Sequence, residues 1–317
     1  RCADTPCLSS TDPLLCSFAS SPRPILQSPL VLIVPMKSFL FRSLTLSFSL
    51  CGLLLACSDY DVEREFQQIR KFLERGVDGL ILVGENHHPD LEKFLLRRDV
   101  PMINTFVYSQ QSHGTCIGPD NHKLFYDMTR HLIDLGHEIF AVVAQSVENN
   151  DRAQARLQGI KDALAEKGIA VRPQHFAIGQ WSISEGRNLF ARVMGQSPRP
   201  TAVICGNPSL AVGAYLESVA MGLRVPADVS IVGYDDIEVM SHLPVPLTTV
   251  RVQSEQVGRN AARFLLGRLE GRDIEMEISA YENTHPNVGV WLKLTAKKPF
   301  DRRTMEAKDD ERKRLPF

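Results

Sequence analysis

The chain has 317 residues, 44% of them hydrophobic, and its 36 basic and 37 acidic side chains nearly cancel to a formal charge of −1. That length suits two domains or one large α/β fold built as two lobes. The balanced charge predicts no broad basic surface, so nothing in the bulk composition argues for nucleic-acid or acidic-membrane binding. The seven cysteines, at 2, 7, 16, 51, 57, 116 and 205, form no CxxC pair and no Cys/His cluster with zinc spacing. This argues against a disulfide framework or a structural metal, and for a reducing, cytoplasmic setting.

Residues 1–51 are rich in Ser, Leu and Pro, nearly free of acids, and show no sustained period. They stay unassigned, with disorder or mistranslation as the expectation. From Ser58 the pattern becomes regular: Ser58, Asp59 and Asp61 supply turn and cap chemistry, and Val62, Phe66, Ile69 and Leu73 recur at helical spacing until Gly76. A buried strand is predicted over 77–83, a short helix over 91–98 and a strand over 100–106. Asp120 opens a helix with Leu124, Met128, Leu132 and Leu135 on one face, stopped at Gly136. Then follow a strand at 139–144, helices at 152–167 and 184–194, a strand at 201–205, a helix at 209–221, a strand at 229–233 and a helix at 255–269. Short apolar strands alternating with longer helices imply right-handed βαβ crossovers and a parallel sheet covered on both faces. Such α/β sheets bind ligands outside the C-terminal ends of their strands.

The strand in "SIVGYDDIE" (230–238) ends on two adjacent carboxylates, Asp235 and Asp236. Neighbours on an extended chain point to opposite sides, so the two do not converge as a catalytic pair sharing one proton would. No nucleophile elbow, HExxH pair or phosphate loop is present, so the chain reads as no enzyme and as holding no cofactor. The nearest histidine pair, His87-His88, follows a different strand. What remains is one acid aimed at a polar molecule while the other faces water. Other polar residues carry a structural and a functional reading side by side. Asp120 and Asn207 suit helix N-caps, the latter with Pro208 at the first helical position. Arg156, one position off the stripe of Ala153, Leu157, Ile160 and Leu164, suits a rim ion pair, and Trp181 suits a lid on the core. Together, Asp120, Arg156, Trp181, Asn207 and Asp235 all fall at strand ends, helix starts or loops. Acids, an amide and a guanidinium around an indole face suit a polyhydroxylated ring.

The stretches "ERGVDGLILVG" (74–84), "GPDN" (118–121), "HLIDLGHEIFAVV" (131–143), "RLQGI" (156–160), "RPTAVICGNPSLAVGA" (199–214), "GLRVPADVSIVGYDD" (222–236) and "PLTTVR" (246–251), in this order, resemble the LacI/GalR family of bacterial transcription repressors over about residues 52–275. The resemblance implies a two-lobed type I periplasmic-binding-protein-like fold with parallel, doubly wound sheets. Residues 52–136 and 249–275 would form the N-terminal lobe and 137–248 the C-terminal lobe, with a divergent charged tail over 276–317. It implies a small-molecule effector, a sugar or sugar acid, bound between the lobes, and a homodimer that the effector shifts between operator-binding and released states. By that resemblance Asp120, Arg156, Trp181, Asn207 and Asp235 contact the effector, and Asp236 is structural.

The sequence also departs from the family. It shows no helix-turn-helix and no hinge helix, so operator DNA is expected as a partner only if the full-length product carries a headpiece. The family's first strand and helix are missing from the pattern, although "LVLIVP" (30–35) imitates the strand, and Pro208 stands where the family usually has Asp. A truncated or frame-shifted gene is the expectation, and reading the upstream DNA in its other two frames checks it. A second reading takes "MKSFLFRSLTLSFSLCGLLLACSDYD" (36–61) as a lipoprotein signal with Cys57 acylated, which would make the chain a lipid-anchored periplasmic sugar-binding protein.

Overall fold

In the computed structural model, residues 29–35, 51–108 and 115–272 are described. The expectations for most of 1–51 and for the tail at 276–317 lie outside these residues. The first sheet contains β1 (Pro29–Pro35), β2 (Cys51–Cys57), β3 (Leu80–Val83), β4 (Met102–Thr105) and β5 (Cys116–Ile117), in the order β2-β1-β3-β4-β5. Side chains alternate across a strand, and β3 uses both directions. Leu80 and Leu82 pack with Ile69 and Phe72 of α1 (Val62–Glu74) and Leu91 and Leu95 of α2 (Leu91–Leu96). Ile81 packs the other way, with Ile103, Ile117 and the Val257, Ala261, Phe264 and Leu265 side of α8 (Ser254–Leu269).

The β3-β4-β5 portion is parallel, as expected. β1 is not: it runs antiparallel to both β2 and β3. It therefore occupies an interior position of the sheet without being the parallel strand of a βαβ unit, and no helix is described between β1 and β2. The consequence shows on β2. Leu54 and Ala56 pack inward, whereas Leu53 and Leu55 remain 53% and 55% exposed, a face that a doubly wound sheet would cover.

The second sheet is parallel throughout, ordered β10-β9-β8-β6-β7: β6 (Phe140–Gln145), β7 (Phe176–Gly179), β8 (Ala202–Cys205), β9 (Ser230–Tyr234) and β10 (Thr248–Val250). α5 (Ile183–Met194) and α6 (Pro208–Ala220) cover one face through Phe190, Val193, Leu210 and Tyr215. α3 (Asn121–Asp134) and α4 (Asp151–Ala165) cover the other through Phe125, Met128, Leu132 and Ile160.

This corrects the expected lobe boundary. α3 follows a strand of the first sheet in sequence but buries its apolar stripe against β6, β8 and β9 of the second. The chain therefore crosses between lobes just before Asn121, not at 136, and recrosses between β10 and α8. Periodicity identifies which face of a helix is buried, but not against which of two sheets. β7 was also not foreseen: it is a four-residue edge strand entered from the 3₁₀ turn Pro173–His175, and its exposed Ile178 breaks the apolar run by which buried strands are read. Among the described residues, no helix is long and apolar enough to cross a membrane.

Candidate functional site

The C-terminal ends of β6, β7, β8 and β9 lead into the segments that carry the polar residues of interest. A cleft of about 750 Å³ opens between the lobes beside the ends of β6 and β7, within the size range of small-molecule sites. Asp59, Tyr60, Asp61 and Val62 line it from the first lobe, and Gln145, Ser146, Glu148, Asn149 and the 179–182 loop line it from the second. Trp181 stands in this wall, with its indole Nε1–H donating to Ser209 Oγ at 3.2 Å. The tether holds the indole against the start of α6, so the side chain is not free to fold over the core.

The lobes touch beside the cleft. The Glu85 amide donates to Asp151 Oδ2 at 2.8 Å, and the Arg152 guanidinium lies against the same loop, 5.9 Å above the Tyr60 ring. Gly84, at φ +85°, leaves room for this approach, since a Cβ there would overlap Arg152 Nη1. His87 braces the loop from behind. Its Nδ1 sits 2.6 Å from a Glu65 carboxylate oxygen, and its Nε2 lies 3.0 Å from the Gly84 carbonyl and 3.1 Å from Asn104 Oδ1. Burial by itself pulls the His87 pKa down, but the Glu65 bond and charge outweigh it and hold the imidazole above its ordinary value.

Arg156 is the centre of the second lobe's polar set. It is 5% exposed, its Nη1 donates to Asn121 Oδ1 at 2.8 Å, and its guanidinium lies 4.5 Å from the Tyr234 ring centroid. Its Nε has no hydrogen-bond partner, and no carboxylate among the described residues comes within ion-pair distance of it. Burial pulls its pKa below the usual arginine value, yet a guanidinium stays protonated in protein surroundings. A buried cation whose partners are neutral groups and an aromatic face is under-compensated. The rim ion pair considered from sequence is absent here, because α4 turns this position inward over β9.

Asp235 follows β9 with a left-handed backbone, φ +64°, which Asp tolerates better than most residues. Its amide donates to the Val250 carbonyl at 2.7 Å and its carbonyl accepts from Thr249 Oγ1 at 3.2 Å. Burial pushes its carboxyl pKa up, partly offset by backbone amides of Asp236 and Val252 and by the charge of Arg156. Asp236 points elsewhere and pairs with Arg251 at 2.6 Å. The two adjacent carboxylates thus diverge, at a left-handed turn past the end of β9 rather than along an extended strand.

Asp120 and Asn207 are N-caps. Asp120 Oδ1 accepts from the Lys123 amide at 2.9 Å, and Asn207 Oδ1 from the Leu210 amide at 2.9 Å. Asn207 is fully buried and its Nδ2 donates to Gln145 Oε1 at 3.1 Å. Of the five residues, Trp181 alone lines the cleft and Arg156 alone a smaller hollow. Asn207 is linked to both through Gln145, and Asp235, next to Tyr234 beneath Arg156, lines neither. Asp120 stands apart from that hollow and from the cleft, joined to the set through its neighbour Asn121. Gln145, Tyr60 and Arg152 were missed from sequence. For Gln145 a signal existed, because a polar residue closing the apolar strand "FAVVAQ" sits where such sheets bind ligands.

Residues 129–284 match the periplasmic binding protein-like domain. The chain is 33% identical over 221 residues to the ribose operon repressor of Haemophilus influenzae, covering 69% of this chain and 65% of that protein. It is 30% identical over 232 residues to the transcriptional repressor PurR of Vibrio vulnificus, covering 73% and 68%. Among solved structures it is similar to the transcription regulator GntR of Chromobacterium violaceum, with a TM-score of 0.65 at 25% identity over 70% of this chain and 81% of that one. It is also similar to a LacI family regulator of Silicibacter pomeroyi, with a TM-score of 0.63 at 26% identity over 70% and 82%.

Proposed function

Because this chain belongs to the LacI/GalR family of transcriptional repressors, we propose that its two lobes form an effector-binding domain for a sugar or sugar derivative, and that the bound effector controls attachment to operator DNA. The chain spans 65% of the length of the ribose operon repressor it resembles, so operator binding is proposed for a product that carries a headpiece. The relatives are repressors, not enzymes, and the role proposed is binding without chemistry, in the cytoplasm.

The observation that carries this reading is Arg156: a buried guanidinium without a carboxylate partner, beside a cleft walled by an indole. Trp181 offers a flat apolar face to the C–H side of a sugar ring, and Arg156 and Asp235 meet its oxygens and hydroxyls. Asp120 and Asn207 are proposed to add contacts from the helix starts they cap. Effector binding would act through the Glu85–Asp151 junction, because lobe closure is where the two halves register each other.

A thermal-shift screen of the full chain against pentoses, hexoses and their acids tests the reading. An effector at 100 times its dissociation constant adds about 2.7 kcal/mol, or roughly 5–10 °C in Tm for a domain of this size. A panel in which no member moves the Tm overturns the proposal. The homodimer is proposed on the apolar end of α6, where Leu216, Val219 and Met221 are solvent-exposed. Sedimentation velocity should return twice the 35.5 kDa chain mass, and the monomer mass at tens of micromolar would rule the dimer out.

A further inference from the structure

Gln145, the last residue of β6, is 5% exposed and lines both the inter-lobe cleft and a hollow of about 10 Å³ shared with Arg156 and Gly206. Its amide cannot be turned over freely. Asn207 Oδ1 is held by the Leu210 amide, so Asn207 must present its NH₂ to Gln145, and Gln145 must answer with its oxygen. The Gln145 NH₂ then faces the other way, and it has no partner, as Arg156 Nε has none. Two buried, orphaned donors thus belong to side chains around one hollow with room for a single oxygen-sized atom. Buried donors left unpaired are uncommon and call for an explanation.

We infer that Gln145 is a specificity-determining residue whose Nε2, with Arg156 Nε, receives one carboxylate oxygen of the effector, so that the site selects sugar acids over the neutral sugars. This rests on the proposed effector-binding function. A carboxylate is preferred to a hydroxyl for two reasons. Both protein groups are donors, so an oxygen that carries no proton of its own satisfies them fully. The buried guanidinium also gains the counter-charge it lacks within the protein.

The test measures affinity of the full chain for matched pairs, each aldonic or uronic acid against its parent sugar, in wild type, Gln145→Glu and Gln145→Met. The expected result is an acid bound at least tenfold tighter than its parent sugar. Gln145→Glu, which keeps an acceptor for Asn207 but loses the donor, should cut acid affinity at least tenfold while the unliganded Tm holds. Gln145→Met should cut it similarly and serves if the Glu variant fails to fold. Neutral sugars that bind while their acids do not would overturn the inference and leave the effector-binding function standing, as would acid binding unchanged in both variants. A protein that binds neither class fails at the function itself.

Discussion

Arg156→Met is expected to abolish the effector-induced thermal shift while leaving the Tm of the unliganded domain unchanged or a few degrees higher. The guanidinium is 5% exposed, keeps one hydrogen bond to a neutral amide, and carries an orphaned Nε. Withdrawing such a charge from water costs several kcal/mol, and the Tyr234 ring face returns only about 1–2 kcal/mol of it. Methionine fills a similar volume without a charge to desolvate, and exchanges of buried ionic groups for apolar ones are neutral or stabilising by about 1–4 kcal/mol. Binding should move the opposite way by more than 100-fold, since loss of charge-assisted contacts to a buried oxygen is worth roughly 3 kcal/mol. Scanning calorimetry with and without the effector reads both effects. A variant that melts well below wild type yet still binds would show that Arg156 serves the fold and not the site.

Gly159→Val should produce the largest loss of stability among substitutions near the site. α3 and α4 cross so closely that a Cβ at Gly159 would overlap the His122 carbonyl oxygen and come within 3.0 Å of the Tyr126 amide nitrogen. Both obstacles are backbone, so the helices must separate. Overpacking of this kind sits at or above the upper end of about 1–3 kcal/mol, a fall in Tm of roughly 6–12 °C. Arg156 lies one turn before Gly159 on the same face, and its partner Asn121 opens α3, so separation also loosens the guanidinium. Gly258 of α8 is the control: a Cβ there meets nothing within 4 Å, and Gly258→Ala should gain up to about 1 kcal/mol. Equal melting points for the two variants would mean that the α3–α4 crossing is looser than described.

Much of the scaffold was legible because its residues act locally. Asp61, Asp120 and Asn207 each cap the helix that follows through the amide three positions on, a relation of short side chain to nearby backbone that spacing reveals. What spacing does not reveal is which sheet a helix joins, and α3 shows it: Leu124, Met128 and Leu132 mark a buried face equally well for either lobe. Arg156 posed the same problem within the site. From sequence its place beside an apolar stripe suits a surface ion pair, and only the crossing of α4 over β9 puts it on the Tyr234 ring. Asp235 and Asp236 do point apart, but not through the alternation that spacing suggests: both lie past β9, where Asp235 is left-handed rather than extended. Gln145 and the Glu85–Asp151 contact depend on partners 62 and 66 positions away, and no periodicity carries that information.

The front of the first lobe constrains how the polypeptide can be matured. β2 ends at Cys57, the residue a signal peptidase would leave as the new terminus of a lipoprotein, and all seven of its residues are in register with β1. Cleavage ahead of Cys57 would remove residues 51–56 together with everything before them. The sheet would shrink to β3, β4 and β5, with Leu80 and Leu82 at a raw edge. Acylation at Cys57 and a five-stranded first lobe are therefore competing fates of a single stretch of backbone.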